Sequence, residues 1–279
     1  MAETKNKDKT YWHDAFFEAL QLELYQYLEA LEFVYEHQLS KQALIVDVLV
    51  IKKEQGIKIE KNIGKIFKAI NLLEFKSEKD GLTVDDYNKV MGYAYLYAAS
   101  THAHITDISV SFVVTMHPRN LLNYLEHDRK FNVTYSDDGI YRIDGDTFPV
   151  QILESKKLSP DKNLFLKNLR SNLDIAEAKR TVDAYKELKG FESKNAYIYR
   201  LAGANPAIFK ELIEVSDTVI RDVVIRALAE EGGWLQDHDR KRDRERDMEN
   251  ARTLKLNNVP LMVILQTFKT LSLEEIEAL

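Results

Sequence analysis

Leu72-Leu73-Glu74-Phe75-Lys76-Ser77 reads as a short buried strand that carries two charges. Side chains alternate along a strand, so Glu74 and Lys76 project from one face and Leu73 and Phe75 from the other. Upstream, Ala43-Leu44-Ile45-Val46-Asp47-Val48-Leu49-Val50-Ile51 is a second apolar run, with Asp47 its only charge and four apolar residues on each side. A lone buried carboxylate is costly unless something pairs with it. A hard cation such as Mg²⁺ takes oxygen ligands and few carboxylates, and would account for both acids and for the lysine beside them.

This Asp…Glu-x-Lys arrangement resembles the active-site signature of the PD-(D/E)XK nuclease superfamily. Asp47, Glu74 and Lys76 fall at its acidic, acidic and lysine positions, and Val46 stands where the signature has its proline. The resemblance is carried by the order of elements: helix, strand, Asp strand, Glu-x-Lys strand, helix. The end of the chain, Leu271-Ser272-Leu273-Glu274-Glu275-Ile276-Glu277-Ala278-Leu279, resembles the closing run of the recombination-promoting nuclease and transposase group of that superfamily.

The resemblance implies an α/β fold with a restriction-endonuclease-like core, a mixed central sheet flanked by helices, over residues 1–172. An α-helical C-terminal region over 173–279 would follow. It implies metal-dependent hydrolysis of DNA phosphodiester bonds, linked to recombination or mobile elements. Asp47 and Glu74 would hold Mg²⁺ (or Mn²⁺) together with the backbone carbonyl of Phe75, and Lys76 would orient the attacking water. The superfamily often adds a glutamate from its first helix. Glu23 is the candidate, because it sits among Trp12, Phe16, Ala19 and Tyr27 when residues 12–28 are projected as a helix. Glu18 is the fallback, on the polar side with Asp14 and Gln21. Two rivals stand beside this reading. One is a catalytically inactive relative that uses the fold as a binding module; the other is an Asp47–Lys76 ion pair that is only structural.

Composition narrows the rest. The chain has 279 residues and a formal net charge of -6, shared equally between residues 1–172 and 173–279, so no basic half announces a nucleic-acid clamp. It has no cysteine, which excludes disulfides, thiolate zinc sites and cysteine nucleophiles. No apolar run approaches about 18 residues, the minimum for a spanning helix. A cytoplasmic protein without membrane contact is the expectation. Gly-x-x-x-x-Gly-Lys, Gly-x-Gly-x-x-Gly and Gly-x-Ser-x-Gly are all missing, so phosphate-loop, dinucleotide and serine-hydrolase readings have no support.

Residues 52–68 carry a local excess of +4, and Lys61, Lys65 and Lys68 would share one face if the stretch were helical. They are the candidates for contacting a DNA backbone; a solvated connector is the other reading. Thr83 with Asp86 predicts a capping box opening a helix to about residue 99, in which Gly92 would permit close packing on the sheet. Ile108–Met116 reads as a strand, Asn120–His127 as a short helix, and Asp138-Gly139 as a hairpin turn before Ile140–Ile143. His102 and His104 form a His-x-His pair without an evident third ligand. His37 and Gln38, ending the first strand, read as exposed polar positions. Beyond Leu173 the pattern is helical: 175–188, 206–213, 218–229, then 234–255, where mixed charges suit a solvated helix or a partner surface. These helices would serve any homo-oligomer or protein partner. Ser272 with Glu275 predicts a second capping box.

Overall fold

In the computed structural model, the described residues are 2–38, 45–52, 56–136, 138–188, 196–215, 225, 233–256, 259–268 and 271–278. They form an α/β protein with a seven-stranded mixed sheet and ten α-helices. The strands are β1 Leu31–Gln38, β2 Ile45–Lys52, β3 Ile70–Lys76, β4 Ile108–Val114, β5 Asn132–Ser136, β6 Ile140–Asp144 and β7 Val150–Glu154. Their spatial order is β1-β2-β3-β4-β7-β6-β5. The two outer groups, β1–β2–β3 and β7–β6–β5, are antiparallel, while β3, β4 and β7 run parallel at the centre.

Chemistry at the turns explains this topology. Gly139, at φ 74°, supplies the left-handed turn between β5 and β6. Parallel β3 and β4 need a long crossover, and the helix α2 Val84–Thr101 supplies it. Thr83 opens α2 with the expected capping box: the Asp86 amide donates to Thr83 Oγ1 at 3.1 Å, and the Thr83 amide to Asp86 Oδ2 at 3.1 Å. The helix closes at His102, whose φ of 57° makes it a left-handed cap, and His104 accepts a bond from the Thr106 amide. Turn chemistry accounts for the His-x-His pair. Gly92 does not serve close packing, since a Cβ there would meet nothing within 4 Å.

The core lies on both faces of the sheet. Leu72, Val110, Phe112 and Ile152 pack with Tyr87, Val90, Met91 and Ala94 of α2. Phe75, on the opposite face, stacks on Phe16 at 4.9 Å between ring centroids, with Trp12 at 6.4 Å. Both aromatic partners belong to α1 Ala2–Glu23. β4 is buried along its whole length, as a central parallel strand should be.

The described part of the connector before β3, residues 56–69, is not a helix, apart from a 3₁₀ turn at Asn62–Gly64. It is pinned to the sheet instead. Gln151 Nε2 donates to the Ile63 carbonyl at 2.8 Å, Arg142 Nη2 to that of Asn62 at 2.9 Å, and Lys52 Nζ to that of Phe67 at 2.8 Å. Ile59, Ile63 and Phe67 are buried beneath it. Gly64 is required there, since a Cβ would come within 2.4 Å of Ile59 Cγ2.

After a short helix α3 Arg119–Asn123 with a π-helical turn, the described residues add four more helices to the first compact unit. They are α4 Leu164–Asn168, α5 Ile175–Glu187, α6 Ala196–Ala204 and α7 Pro206–Val215. This unit spans Met1–Leu228, so the chain divides well beyond the boundary expected at residue 172. The physical reason is that α4 and α6 pack on α1 and belong to its core; Arg200, for example, lies 4.2 Å over the Trp12 ring. Neither α4 nor α6 was read from the sequence. The helix expected at 218–229 lies, apart from residue 225, outside the described residues, as do the side chains of His37 and Gln38.

The second unit, Ala229–Leu279, holds α8 Gly233–Leu256, α9 Leu261–Thr267 and α10 Leu273–Ala278. Ala251, Ile264, Leu271 and Ile276 form its small core. The expected capping box is present: the Glu275 amide donates to Ser272 Oγ at 3.2 Å, and the Ser272 amide to Glu275 Oε2 at 2.8 Å. Among the described residues, no helix is long and apolar enough to cross a membrane.

Candidate active site

β2 and β3 bring two of the predicted acids together. Their ladder ends at the pair Val48–Leu73, with Asp47 and Glu74 the next residues on each strand, near enough for the charge of Asp47 to act on Glu74. There a side chain replaces the backbone ladder: the Phe75 amide donates to Asp47 Oδ2 at 2.8 Å. Asp47 Oδ1 lies 3.4 Å from Nδ1 of His13 on α1. Asp47 and Glu74 are each only 6% exposed.

Glu74 is the strained member of the group. Its Oε1 lies 3.4 Å from Lys76 Nζ, while Oε2 is buried and accepts no hydrogen bond from the described residues. Burial, and after it the charge of Asp47, push the Glu74 carboxyl up to about 7, against the pull of Lys76, His13 and Lys89. Lys76 has a nearer partner, donating to Asp86 Oδ1 at 2.8 Å. Burial favours the neutral amine, but Glu74, Asp86 and Asp47 outweigh it and hold Lys76 above the ordinary lysine value. The capping residue of α2 therefore also fixes the lysine of β3.

Glu23 does not join them, contrary to expectation. Its Oε1 accepts the amides of Phe165 at 2.6 Å and Leu166 at 3.1 Å, at the start of α4, and its Oε2 pairs with Lys61 Nζ at 2.6 Å. Glu18, the fallback, accepts the Tyr197 amide at 2.7 Å, at the start of α6. A helix start exposes unpaired amides and a partial positive charge, and a carboxylate satisfies both. The acids of α1 thus hold later helices onto it. The side expected to face solvent is covered, with Asp14 and Gln21 buried.

The lysine candidates lie away from the acids. Lys61 pairs with Glu23, and Lys65 and Lys68 are exposed on the connector that enters β3 at Ile70. Ile70 is four residues, or about 13 Å, from Glu74 along the strand. With no α-helix over residues 61–68, the shared face expected of the three lysines does not form.

Two residues near the acids went unrecognised in this role. His13 gave no signal, because helical projection does not reveal what a strand will bring beside it. Asp86 was legible only as a cap, since its bond to Lys76 spans the β3–α2 turn.

The fold and the site together define a class: an α/β protein with two carboxylates and one lysine buried at the ends of adjacent strands. Comparisons with protein-family models, curated proteins and solved structures gave no match, so these residues are read from their own geometry.

A divalent cation suits that geometry in one respect that can be tested. Among the described residues, no group of three or more His, Asp or Glu side chains gathers as a ready cage. Mg²⁺, however, usually takes only one or two protein carboxylates and keeps several waters. Glu74 Oε2, buried and without a hydrogen bond, is the kind of oxygen such an ion would satisfy.

Proposed function

We propose that this protein is a metal-dependent nuclease of the PD-(D/E)XK type that hydrolyses DNA phosphodiester bonds. One observation carries the reading: Asp47 and Glu74 lie just beyond the end of an antiparallel ladder, with the charge of Asp47 acting on Glu74 and Lys76 Nζ 3.4 Å from Glu74 Oε1. The succession α1-β1-β2-β3-α2-β4, with β4 parallel to β3, supports a restriction-endonuclease-like core.

Asp47 and Glu74 would hold Mg²⁺ or Mn²⁺. The Phe75 carbonyl is a third ligand candidate, because its amide faces Asp47 and a strand residue directs amide and carbonyl to the same edge. When bound, the ion would acidify a water and offset charge developing on the attacked phosphate. Lys76, held charged by Asp86 and Glu74, would orient the nucleophile and neutralise a phosphate oxygen. His13 would keep Asp47 aligned. A link to recombination or mobile elements belongs to the same reading through the resemblance of the C-terminal run.

A second reading, an inactive binding module on this framework, draws support from Lys76 lying closer to Asp86 than to Glu74. Cleavage of plasmid and single-stranded DNA in Mg²⁺ separates the two. Wild type should cut, and Lys76→Ala should cut at least about 100-fold more slowly. Robust cleavage by a folded Lys76→Ala protein would overturn the proposal.

A further inference from the structure

The end of the sheet that carries Glu74 and Lys76 carries a second gathering of polar groups on the same face. Backbone register sets Lys76, Val114 and Glu154 in one row across β3, β4 and β7. The neighbouring row runs from Glu74 through Phe112 and Ile152 to Tyr141 and Tyr135. Residues paired across strands share a face. At about 4.8 Å per strand, Glu154 stands about 10 Å from Lys76.

Glu154 is buried, yet its Oε2 gathers three donors: His117 Nδ1 at 3.0 Å, Lys157 Nζ at 3.0 Å and the Tyr141 hydroxyl at 3.2 Å. Two of those donors are surface groups, the side chains of His117 and Lys157 being 40% and 47% exposed. Fixing His117 through Nδ1 leaves Nε2 to meet a ligand. Beside it the rings form a series, with His117 5.9 Å from Tyr141 and Tyr141 4.9 Å from Tyr135. Tyr135, on edge strand β5, is 48% exposed.

Exposed aromatic faces beside fixed cationic or hydrogen-bonding groups suit one ligand chemistry, an unpaired base with its phosphate. We infer that Tyr135, His117 and Lys157 form a subsite for single-stranded nucleic acid. A base stacks on Tyr135, the adjoining phosphate meets His117 Nε2 and Lys157 Nζ, and the strand continues along the sheet end toward Lys76. Stacking needs a base whose face is free, which a duplex does not offer. The net charge of -6 is also poorly suited to the many phosphate contacts of duplex binding. The inference deepens the nuclease reading, on which it rests for what happens at Lys76, by naming unpaired strand as the substrate class.

Fluorescence anisotropy with a labelled single-stranded DNA of about 12 nucleotides tests it, in EDTA so that nothing is cut. Wild type should bind the single strand at least about 10-fold tighter than its duplex. Tyr135→Ala should weaken binding about 10-fold, and Tyr135→Trp should restore it. Lys157→Gln should lower the slope of log affinity against log salt by about 0.7, which Tyr135→Ala should leave unchanged. Melting temperatures confirm that each variant folds. Absence of binding by wild type, equal binding of duplex, or wild-type affinity in Tyr135→Ala would each overturn the subsite. If Lys76-dependent cleavage persists while Tyr135→Ala binds as wild type, the nuclease reading stands and the subsite falls. If wild type cuts nothing yet Tyr135→Ala loses binding, the subsite stands and the nuclease reading falls.

Discussion

Lys76 Nζ lies 2.8 Å from Asp86 Oδ1 and 3.4 Å from Glu74 Oε1, so the lysine of the candidate site is anchored by a helix cap. The strand end and the helix start that follows it form one electrostatic unit. Asp86→Asn keeps an oxygen for the Thr83 amide but removes the charge facing Lys76. It should slow Mg²⁺-dependent cleavage about 10-fold while costing about 1 kcal/mol of stability or less. Asp86→Ala also loses the cap and should destabilise by about 1–2 kcal/mol more. Cleavage rates and urea melts of the two variants distinguish positioning from capping.

Glu74 gives stability a defined pH dependence. Its folded carboxyl is pushed up to about 7, above the ordinary value of 4.5, so the native state holds a proton that the unfolded chain has released. Stability from this group therefore falls as pH rises from about 4.5 to about 7, by on the order of 3 kcal/mol, and then levels off. Glu74→Gln removes the titration. Without metal, its melting temperature should exceed that of wild type at pH 8, with the two converging near pH 5. Parallel melting curves across that range would refute the assignment to Glu74.

Magnesium should oppose this loss. At a dissociation constant near 1 mM, 10 mM Mg²⁺ would stabilise wild type by about 1.4 kcal/mol, or about 2–4 °C in a chain of this size. Binding requires the Glu74 carboxylate, so the shift should be larger at pH 8 than at pH 6. Melting at constant ionic strength checks both. An equal shift in Glu74→Gln would mean that the ion binds elsewhere.

Glu23 should behave as a structural residue. Glu23→Ala leaves Lys61 and the Phe165 and Leu166 amides without their acceptor, and should destabilise by about 3–5 kcal/mol. Glu23→Gln keeps an acceptor for the amides and should cost less. At a temperature where Glu23→Gln is folded, its cleavage rate should match wild type. A loss of about 100-fold would return Glu23 to the chemistry.

Much of the framework was written locally. Short apolar runs around Glu74 and Asp47 marked two strands, Asp138-Gly139 marked a hairpin, and Thr83–Asp86 and Ser272–Glu275 marked helix starts; each is satisfied within a few residues. That Asp47 and Glu74 each need compensation was legible for a related reason, because each is a carboxylate in an apolar strand. Tertiary structure alone decided which carboxylate met which positive partner. Glu23 lay on the apolar side of α1 as expected, but its partners come from residues 61, 165 and 166. Periodicity identifies the buried stripe of a helix without saying what covers it. A buried carboxylate announces that it needs compensation, and a metal ion, a lysine or a helix start can each provide it. The choice depends on which groups the folded chain brings within about 3 Å, and those lie too far along the sequence to be read from it.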